Sequence, residues 1–178
     1  YVFTWKKLRQ YLLDDEANPN SSNDFGKDVI PAMHNAGERL FAFPFDGYWK
    51  DVGTITSLHE ANMDLLLSSK IKENIITNEV YSEDKSGHPQ YIGKNAEVSD
   101  SYINQGAVIL GKVKHCVISN EVFVDENSVV ENSVLMTGCK IGKNSMVKNA
   151  IVAPDFIVNE NEKYLGKRDD ILLVARRA

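Results

Sequence analysis

The sequence predicts a mixed protein, in which the end of an α/β domain is followed by a parallel β-helix. Two observations carry this prediction. The first 69 residues alternate helical and strand-like patterns, in the manner of an α/β domain. From residue 91 onward, short apolar segments repeat at a nearly constant step, which is typical of stacked coils. A polar stretch separates the two, so we predict domains at 1–69 and 91–178 joined by a linker at 70–90.

Composition and charge restrict the possible functions. The chain has 178 residues, 43% of them hydrophobic, enough for one sizeable core or two small ones. A net charge of −5 argues against nucleic acid as the main partner, because phosphate backbones bind basic surfaces. No apolar run approaches the roughly 20 residues that span a bilayer, and we recognise no signal peptide.

The ends and the cysteines add two expectations. Cys116 and Cys139 form neither a metal-binding spacing nor a disulfide framework, which favours a reducing cytoplasm. Because the sequence begins at Tyr1 without an initiator Met, and Tyr1-Val2-Phe3 resembles the tail of a strand, we expect a piece of a longer protein.

Helices are predicted at three places in the first domain. Thr4 and Thr54 each precede an apolar stripe at helical spacing, and both are suitable N-caps. The first stripe is Trp5, Leu8, Leu12 and Leu13; the second is Ile55, Leu58, Asn62 and Leu65. Between them, Asp24 opens a short helical segment that Pro31 limits or bends. Alternating aromatic and polar residues predict strands at 39–45 and 48–52.

The repeats predict triangular coils. Four copies start at Ile92, Ile109, Val124 and Ile141, a step of seventeen residues with one copy two shorter. Two further apolar columns are Val98, Val113, Val130, Val147 and Ile103, Ile118, Leu135, Val152. Three short strands per copy, each with one inward aliphatic residue, describe a coil of a parallel β-helix. We expect the columns to break from Val158 onward, with 171–174 as a final strand that caps the stack.

Two other columns bear on reactivity. Cys116 aligns with the small residues Ser101, Ser133 and Ala150, and Cys139 aligns with Ala107, Val122 and Phe156. His115 aligns with Asp100, Asn132 and Asn149 in a polar turn column. The alignment therefore predicts packing cysteines and a structural His115. His59 is predicted on the exposed side of its helix.

Residues 46–54 combine the chemistry of a sugar-phosphate site. Gly47 and Gly53 bracket two aromatic residues, a lysine and Asp51. Glycine permits close backbone approach, an aromatic face packs on a sugar ring, and a carboxylate holds Mg²⁺ near a phosphate. A plain strand between two turns is the alternative.

Three segments together resemble the bacterial glucose-1-phosphate adenylyltransferases in order and spacing. They are Asp-Phe-Gly-Lys-Asp-Val-Ile-Pro at 24–31, Gly-Tyr-Trp-Lys-Asp-Val-Gly-Thr at 47–54 and Glu-Ala-Asn-Met-Asp-Leu-Leu at 60–66. The resemblance extends to about Val158 and rests mainly on the second segment, since acyltransferases share the hexad repeats. It implies the C-terminal remnant of an α/β nucleotidyltransferase domain, followed by a left-handed parallel β-helix of hexapeptide repeats.

The resemblance also implies a reaction, in which ATP and glucose 1-phosphate give ADP-glucose and diphosphate for glycogen synthesis. Asp51 matches the family's catalytic carboxylate that holds Mg²⁺. Asp24, Phe25 and Trp49 match positions of the glucose 1-phosphate pocket, with Tyr1 at its edge. The family's Gly-rich nucleotide loop has no counterpart in this sequence, so we expect no catalysis by this piece alone. A homotetramer, or a hetero-oligomer with a paralogous subunit, is the assembly implied.

Less specific interpretations of these residues remain open. Without the resemblance, Asp51 would be interpreted as a solvated turn residue, Asp24 as a helix cap and Trp49 as a core residue. Lys50 is expected to be solvated or salt-bridged, and Lys27 and Asp28 to be surface charges.

Three other functions also remain open. A GDP-mannose or UDP-sugar enzyme is the nearest. A hexapeptide acyltransferase would need a general-base His and an acyl-CoA cleft between subunits. The third is a non-enzymatic assembly or regulatory module, because stacked coils offer flat surfaces to partners.

Overall fold

The computed structural model describes residues 1–67 and 87–176, in two compact units that divide between Gly47 and Tyr48. Each unit is described by itself. Residues 70–86 of the predicted linker lie outside the described residues, so the proposed domain boundaries stay a prediction.

Helices dominate the first unit. Helix α1 spans Trp5–Glu16, a π-helical turn spans Phe25–Val29, and α2 continues as Ile30–Asn35. The Asp24 carboxylate caps the π turn, as predicted, whereas the Thr4 side chain makes no capping bond to α1. Pro31 lies in the first turn of α2, where its missing N–H is tolerated.

The two strands predicted around the candidate site are absent. Residues 39–45 and 48–52 have no strand partner among the described residues, and Tyr1-Val2-Phe3 is likewise not a strand. Alternation predicted the strands, but a strand requires a hydrogen-bonded neighbour. Phe41 and Phe43 are consequently exposed by 87% and 86%.

Helix α3, Ile55–Leu67, belongs to the second unit and packs on the β-helix. Thr54 begins it as predicted, because its Oγ1 accepts from the Ser57 N–H at 3.1 Å. The buried face is formed by His59, Met63 and Leu66. The prediction that His59 is exposed is therefore wrong, since the contact face follows the position of the β-helix rather than the apolar stripe alone.

Short parallel strands form the β-helix in three faces. The first face contains β1 (Tyr91–Ile92), β4 (Val108–Ile109), β6 (Phe123–Val124), β8 (Lys140–Ile141) and β11 (Ile157–Val158). The other two faces share β5 (Lys112–Ile118) and β7 (Val129–Leu135), which each turn a corner. Beside them lie β2 (Glu97–Ser99), β9 (Met146–Lys148) and β12 (Lys163–Leu165) on one face, and β3 (Tyr102–Ile103), β10 (Ala150–Val152) and β13 (Leu172–Val174) on the other.

All three predicted apolar columns are confirmed by the strand register. Val113, for example, pairs with Val130, and Val130 pairs with Val147. The expected break at Val158 is wrong: Val158, Tyr164 and Val174 continue the three columns, and β13 is the predicted final strand.

Left-handed backbone conformations mark the corners. The polar column of Asp100, His115, Asn132 and Asn149 has φ values of 44°, 52°, 45° and 48°. A second corner is built from Asn127, Asn144 and Asn161, and a third from Gly106, Glu121, Gly138 and Asp155, all with positive φ. Asn, Asp and Gly recur there because they adopt this region at the lowest steric cost.

Candidate functional site

Two side chains of residues 48–51 contact the same oxygen of one acid. The Tyr48 hydroxyl donates to Asp64 Oδ2 at 2.9 Å, and Lys50 Nζ donates to the same oxygen at 3.0 Å. Lys50 also pairs with Glu60 at 3.1 Å, so of the two environments expected for it, solvated or salt-bridged, the structure shows the salt bridge. Both acids belong to α3, which therefore holds this stretch in place.

The other two side chains of residues 48–51 are exposed. Trp49 is 76% exposed, which excludes core packing within the second unit. The Asp51 Oδ1 accepts from the Gly53 N–H at 3.2 Å, as a turn residue would. Within the described residues, its Oδ2 receives no hydrogen bond and is available to a ligand.

The bracketing glycines do not fix this geometry by left-handed turns. Neither Gly47 nor Gly53 has a positive φ. The contacts that hold this stretch are the side-chain hydrogen bonds of Tyr48 and Lys50 to Asp64.

The surroundings of Lys50 and Tyr48 favour the protonated form of each side chain. The hydrogen bond to Asp64 raises the pKa of Lys50, with Glu60 acting in the same direction. Burial raises the pKa of Tyr48, and its bond to Asp64 adds to the effect. At neutral pH both groups therefore donate without competition from their deprotonated forms.

A second group of predicted site residues lies together in the first unit. The rings of Tyr1 and Phe25 stack with centroids 5.9 Å apart, and Phe3 lies 5.7 Å from Phe25. Asp24 Oδ1 accepts from the N–H groups of Gly26 and Lys27 at 2.8 and 2.9 Å. Tyr1, Asp24 and Phe25 are thus neighbours, whereas Trp49 and Asp51 belong to the second unit.

Sequence reasoning missed the structural role of Asp28. Its Oδ2 accepts from the Ser22 hydroxyl and from the Asp24 N–H at 3.2 Å, which closes the loop before the π turn. The Ser22 bond lowers the pKa of Asp28 and keeps it ionised. π-Helical turns are rare and are frequent at functional sites, and no sequence signal of this one was recognised.

The residues discounted from the sequence are explained by their surroundings. Cys116 and Cys139 are fully buried, and burial raises the pKa of each thiol to about 12, so neither forms the reactive thiolate. His115 Nδ1 lies 2.6 Å from Asp100 Oδ2, its neighbour in the corner column. This pair bridges two coils at a left-handed corner.

Neither a ready-made metal site nor a membrane-spanning helix occurs among the described residues. Residues 1–67 and 87–176 contain no cluster of three or more His, Cys, Asp or Glu that could hold a metal ion by itself. Among the same residues, no helix has the length and apolarity needed to cross a membrane.

Family models match both parts of the chain. A nucleotidyl transferase model matches residues 1–68, and a GlmU-like C-terminal hexapeptide model matches residues 88–168. The chain is therefore the end of a nucleotidyltransferase domain followed by hexapeptide repeats, and its parallel solenoid of about four coils is consistent with a left-handed β-helix.

Curated relatives specify the family further. Glucose-1-phosphate adenylyltransferases from Bacillus cytotoxicus, Bacillus cereus and Bacillus mycoides are each 46% identical over 98% of this chain. The resemblance drawn from the sequence is confirmed: over nearly its whole length the chain matches the C-terminal part of glucose-1-phosphate adenylyltransferases. It spans 47% of the length of these relatives.

Proposed function

We propose that this chain forms the C-terminal part of an enzyme that makes ADP-glucose and diphosphate from ATP and glucose 1-phosphate. The observation that supports the proposal best is the arrangement of residues 48–51. Tyr48 and Lys50 are held by α3, whereas Trp49 and Asp51, two positions apart in the chain, are exposed. A flat apolar ring and a carboxylate at this spacing suit a sugar phosphate bound with a metal ion.

Mg²⁺ is the proposed metal, with Asp51 as its ligand from this chain. The donor set fits, because Mg²⁺ is commonly held by one or two carboxylates together with substrate phosphates rather than by an all-protein cage. When bound, the ion would neutralise phosphate charge during transfer of the nucleotidyl group. Among the described residues the Asp51 carboxylate accepts one hydrogen bond, from the Gly53 N–H, so its second oxygen is open to a ligand.

Tyr1, Asp24, Phe25 and Trp49 are the proposed contacts to glucose 1-phosphate. The free Oδ2 of Asp24 would accept from a sugar hydroxyl while Oδ1 caps the π turn. The sugar phosphate itself would attack the α-phosphorus of ATP, so no protein nucleophile is required. The contribution of the chain is orientation, which is a large part of catalysis when two substrates must meet in line.

The proposal is tested by substrate choice in the complete protein that contains this chain. ATP, UTP and GTP would be offered with glucose 1-phosphate or mannose 1-phosphate, and diphosphate release measured. We expect turnover with ATP and glucose 1-phosphate. Preference for a UDP-sugar or GDP-mannose product, or clear acetyl-CoA turnover, would overturn it.

Asp51 is tested in the same protein by Asp51→Asn, which keeps the shape but removes the charge. We expect turnover to fall by roughly a hundredfold or more, since a group that stabilises transition-state charge is lost. Asp46→Asn is the control, because it removes a nearby exposed carboxylate with no assigned role. Equal activity of the two variants would remove Asp51 from the site.

The resemblance to glucose-1-phosphate adenylyltransferases also supports a proposal for the assembly and location of the complete protein. We propose a homotetramer, or a hetero-oligomer with a paralogous subunit, acting in the cytoplasm in glycogen synthesis. Sedimentation of the complete protein tests the assembly, and a monomer would contradict it.

A further inference from the structure

One carboxylate of α3 organises the candidate site without belonging to it. Asp64 Oδ2 accepts from both the Tyr48 hydroxyl and Lys50 Nζ, at 2.9 and 3.0 Å. The Asp64 and Lys50 side chains are only 28% and 24% exposed, so the pair is better shielded from solvent than a typical surface ion pair.

The two donors flank Trp49 in the chain, and Lys50 directly precedes Asp51. Because both donors are tied to one oxygen of α3, the backbone between them is held at two points, which restricts the conformations open to Trp49 and Asp51. One acceptor oxygen therefore restrains both residues of the candidate site. Glu60 assists from one helical turn earlier, but it contacts only Lys50.

Helix α3 also packs on the β-helix. Met63 and Leu66 are buried in one apolar cluster with Val134, Ile151 and Ile171 of the coils. His59 adds a directional contact, because its Nε2 donates to the Asn132 carbonyl at 2.8 Å. The neighbours Met63 and Asp64 thus link the coils and the site stretch through one turn of helix.

We propose that Asp64 is a positioning residue, and that through it α3 holds Trp49 and Asp51 in a direction fixed by the β-helix. This inference rests on the proposed function for its consequence, because only a working site turns the direction of Asp51 into activity. The positioning itself is a physical property of the chain and is measurable without substrate.

Trp49 supplies the measurement. The chain has two tryptophans, and Trp5 is 64% exposed on α1, so Trp5→Phe leaves Trp49 as the only indole. In that background, Asp64→Asn should lower the steady-state fluorescence anisotropy of Trp49, because neither donor retains a charged acceptor. Asp64→Glu restores the charge and should recover most of the anisotropy.

Glu126→Gln is the matched control. It breaks the Lys143–Glu126 pair, which has a similar length of 2.9 Å but lies on the β-helix away from the site stretch. We expect unchanged Trp49 anisotropy in this variant. Unchanged anisotropy in Asp64→Asn as well would overturn the positioning role, whatever the activity.

The consequence for function is measured in the complete protein. Asp64→Asn should raise the Mg²⁺ concentration for half-maximal turnover about tenfold, as is typical when a group that orients a metal ligand is lost. Glu126→Gln should not change it. Lower anisotropy with an unchanged Mg²⁺ requirement would retain the positioning of the stretch but overturn the assignment of Asp51 to the metal.

Discussion

Burial gives the stability of the second unit a pH dependence through His59. The imidazole is 4% exposed, and its Nε2 must carry a proton because the Asn132 carbonyl can only accept. Burial lowers the pKa of His59, and the neighbouring His115 acts in the same direction. The Asn132 carbonyl and Glu60 act in the opposite direction but do not reverse the shift.

The sign of the pH effect follows from this shift. The unfolded chain binds the His59 proton more readily than the folded chain, so the free energy of unfolding falls as pH drops below about 6.5. We expect urea unfolding to show a loss of stability between pH 7.5 and pH 5.5. His59→Gln, which places an amide donor near Nε2 but does not titrate, should reduce that loss.

His88→Gln is the control for this prediction, since His88 is exposed in the same unit. It should retain the pH dependence of the parent chain. If His59→Gln retains it equally, then the buried imidazole does not contribute to the effect.

At the scale of elements, the corners are the most demanding backbone positions of the coil. Asn127 is exposed, has φ of 59° and makes no side-chain hydrogen bond among the described residues. The residue type there is required by conformation rather than by contact, because β-branched side chains clash in the left-handed region.

This requirement predicts a difference between two substitutions at the same corner. Asn127→Gly should change the free energy of unfolding by only a few tenths of a kcal/mol, whereas Asn127→Val should lower it by about 1–2 kcal/mol. Chemical denaturation of both variants measures the difference. Equal stability would contradict the conformational explanation.

The inward-facing columns of the β-helix should not tolerate a charged side chain. Val130 is fully buried between Val113 and Val147, so Val130→Asp places an unpaired carboxylate in the core. We expect a loss of about 3 kcal/mol or more in the free energy of unfolding. Val129→Asp, one residue away and only partly buried, should cost much less. A thermal melt of the two variants decides whether the column is core.

The elements also show what a sequence determines by itself. The columns were predictable because each inward residue repeats through the stack, and a register shift of one residue would expose all of them. The Asp24 cap was predictable because it is a local bond. The strands at 39–45 and 48–52 were not, since alternation does not supply a partner strand.

The resemblance indicated residues for the candidate site, but the contacts that support them were not predicted. Trp49 and Asp51 were recognised by resemblance, and their exposure agrees with a role in binding. The contacts of Tyr48 and Lys50 to Asp64 join residues sixteen and fourteen positions apart, respectively, which no local pattern reveals. His59 was misplaced for the same reason, because its burial depends on where the β-helix lies.

At the scale of the whole molecule, each coil of the β-helix is stabilised mainly by its contacts with neighbouring coils. A single coil buries little, whereas an inner residue such as Val124 is covered by paired neighbours above and below, Ile109 and Ile141. Stability in such stacks is the sum of weak units and strong interfaces. With only about four coils, the interfaces should make unfolding a single cooperative event.

The two buried thiols test this cooperativity. Cys116 lies in the second coil and Cys139 at the end of the third, and both are fully buried, so labelling requires opening of the stack. Cys116→Ser and Cys139→Ala each leave one thiol and use residue types already present in the respective column, such as Ser133 and Ala107. In mild urea, the two variants should react with a disulfide reagent at the same rate within about threefold once their stabilities are matched, since 1.4 kcal/mol of opening free energy corresponds to a factor of ten. Faster labelling of one thiol by more than tenfold would show instead that the coils open separately, with the weaker interface on the side of the reactive cysteine.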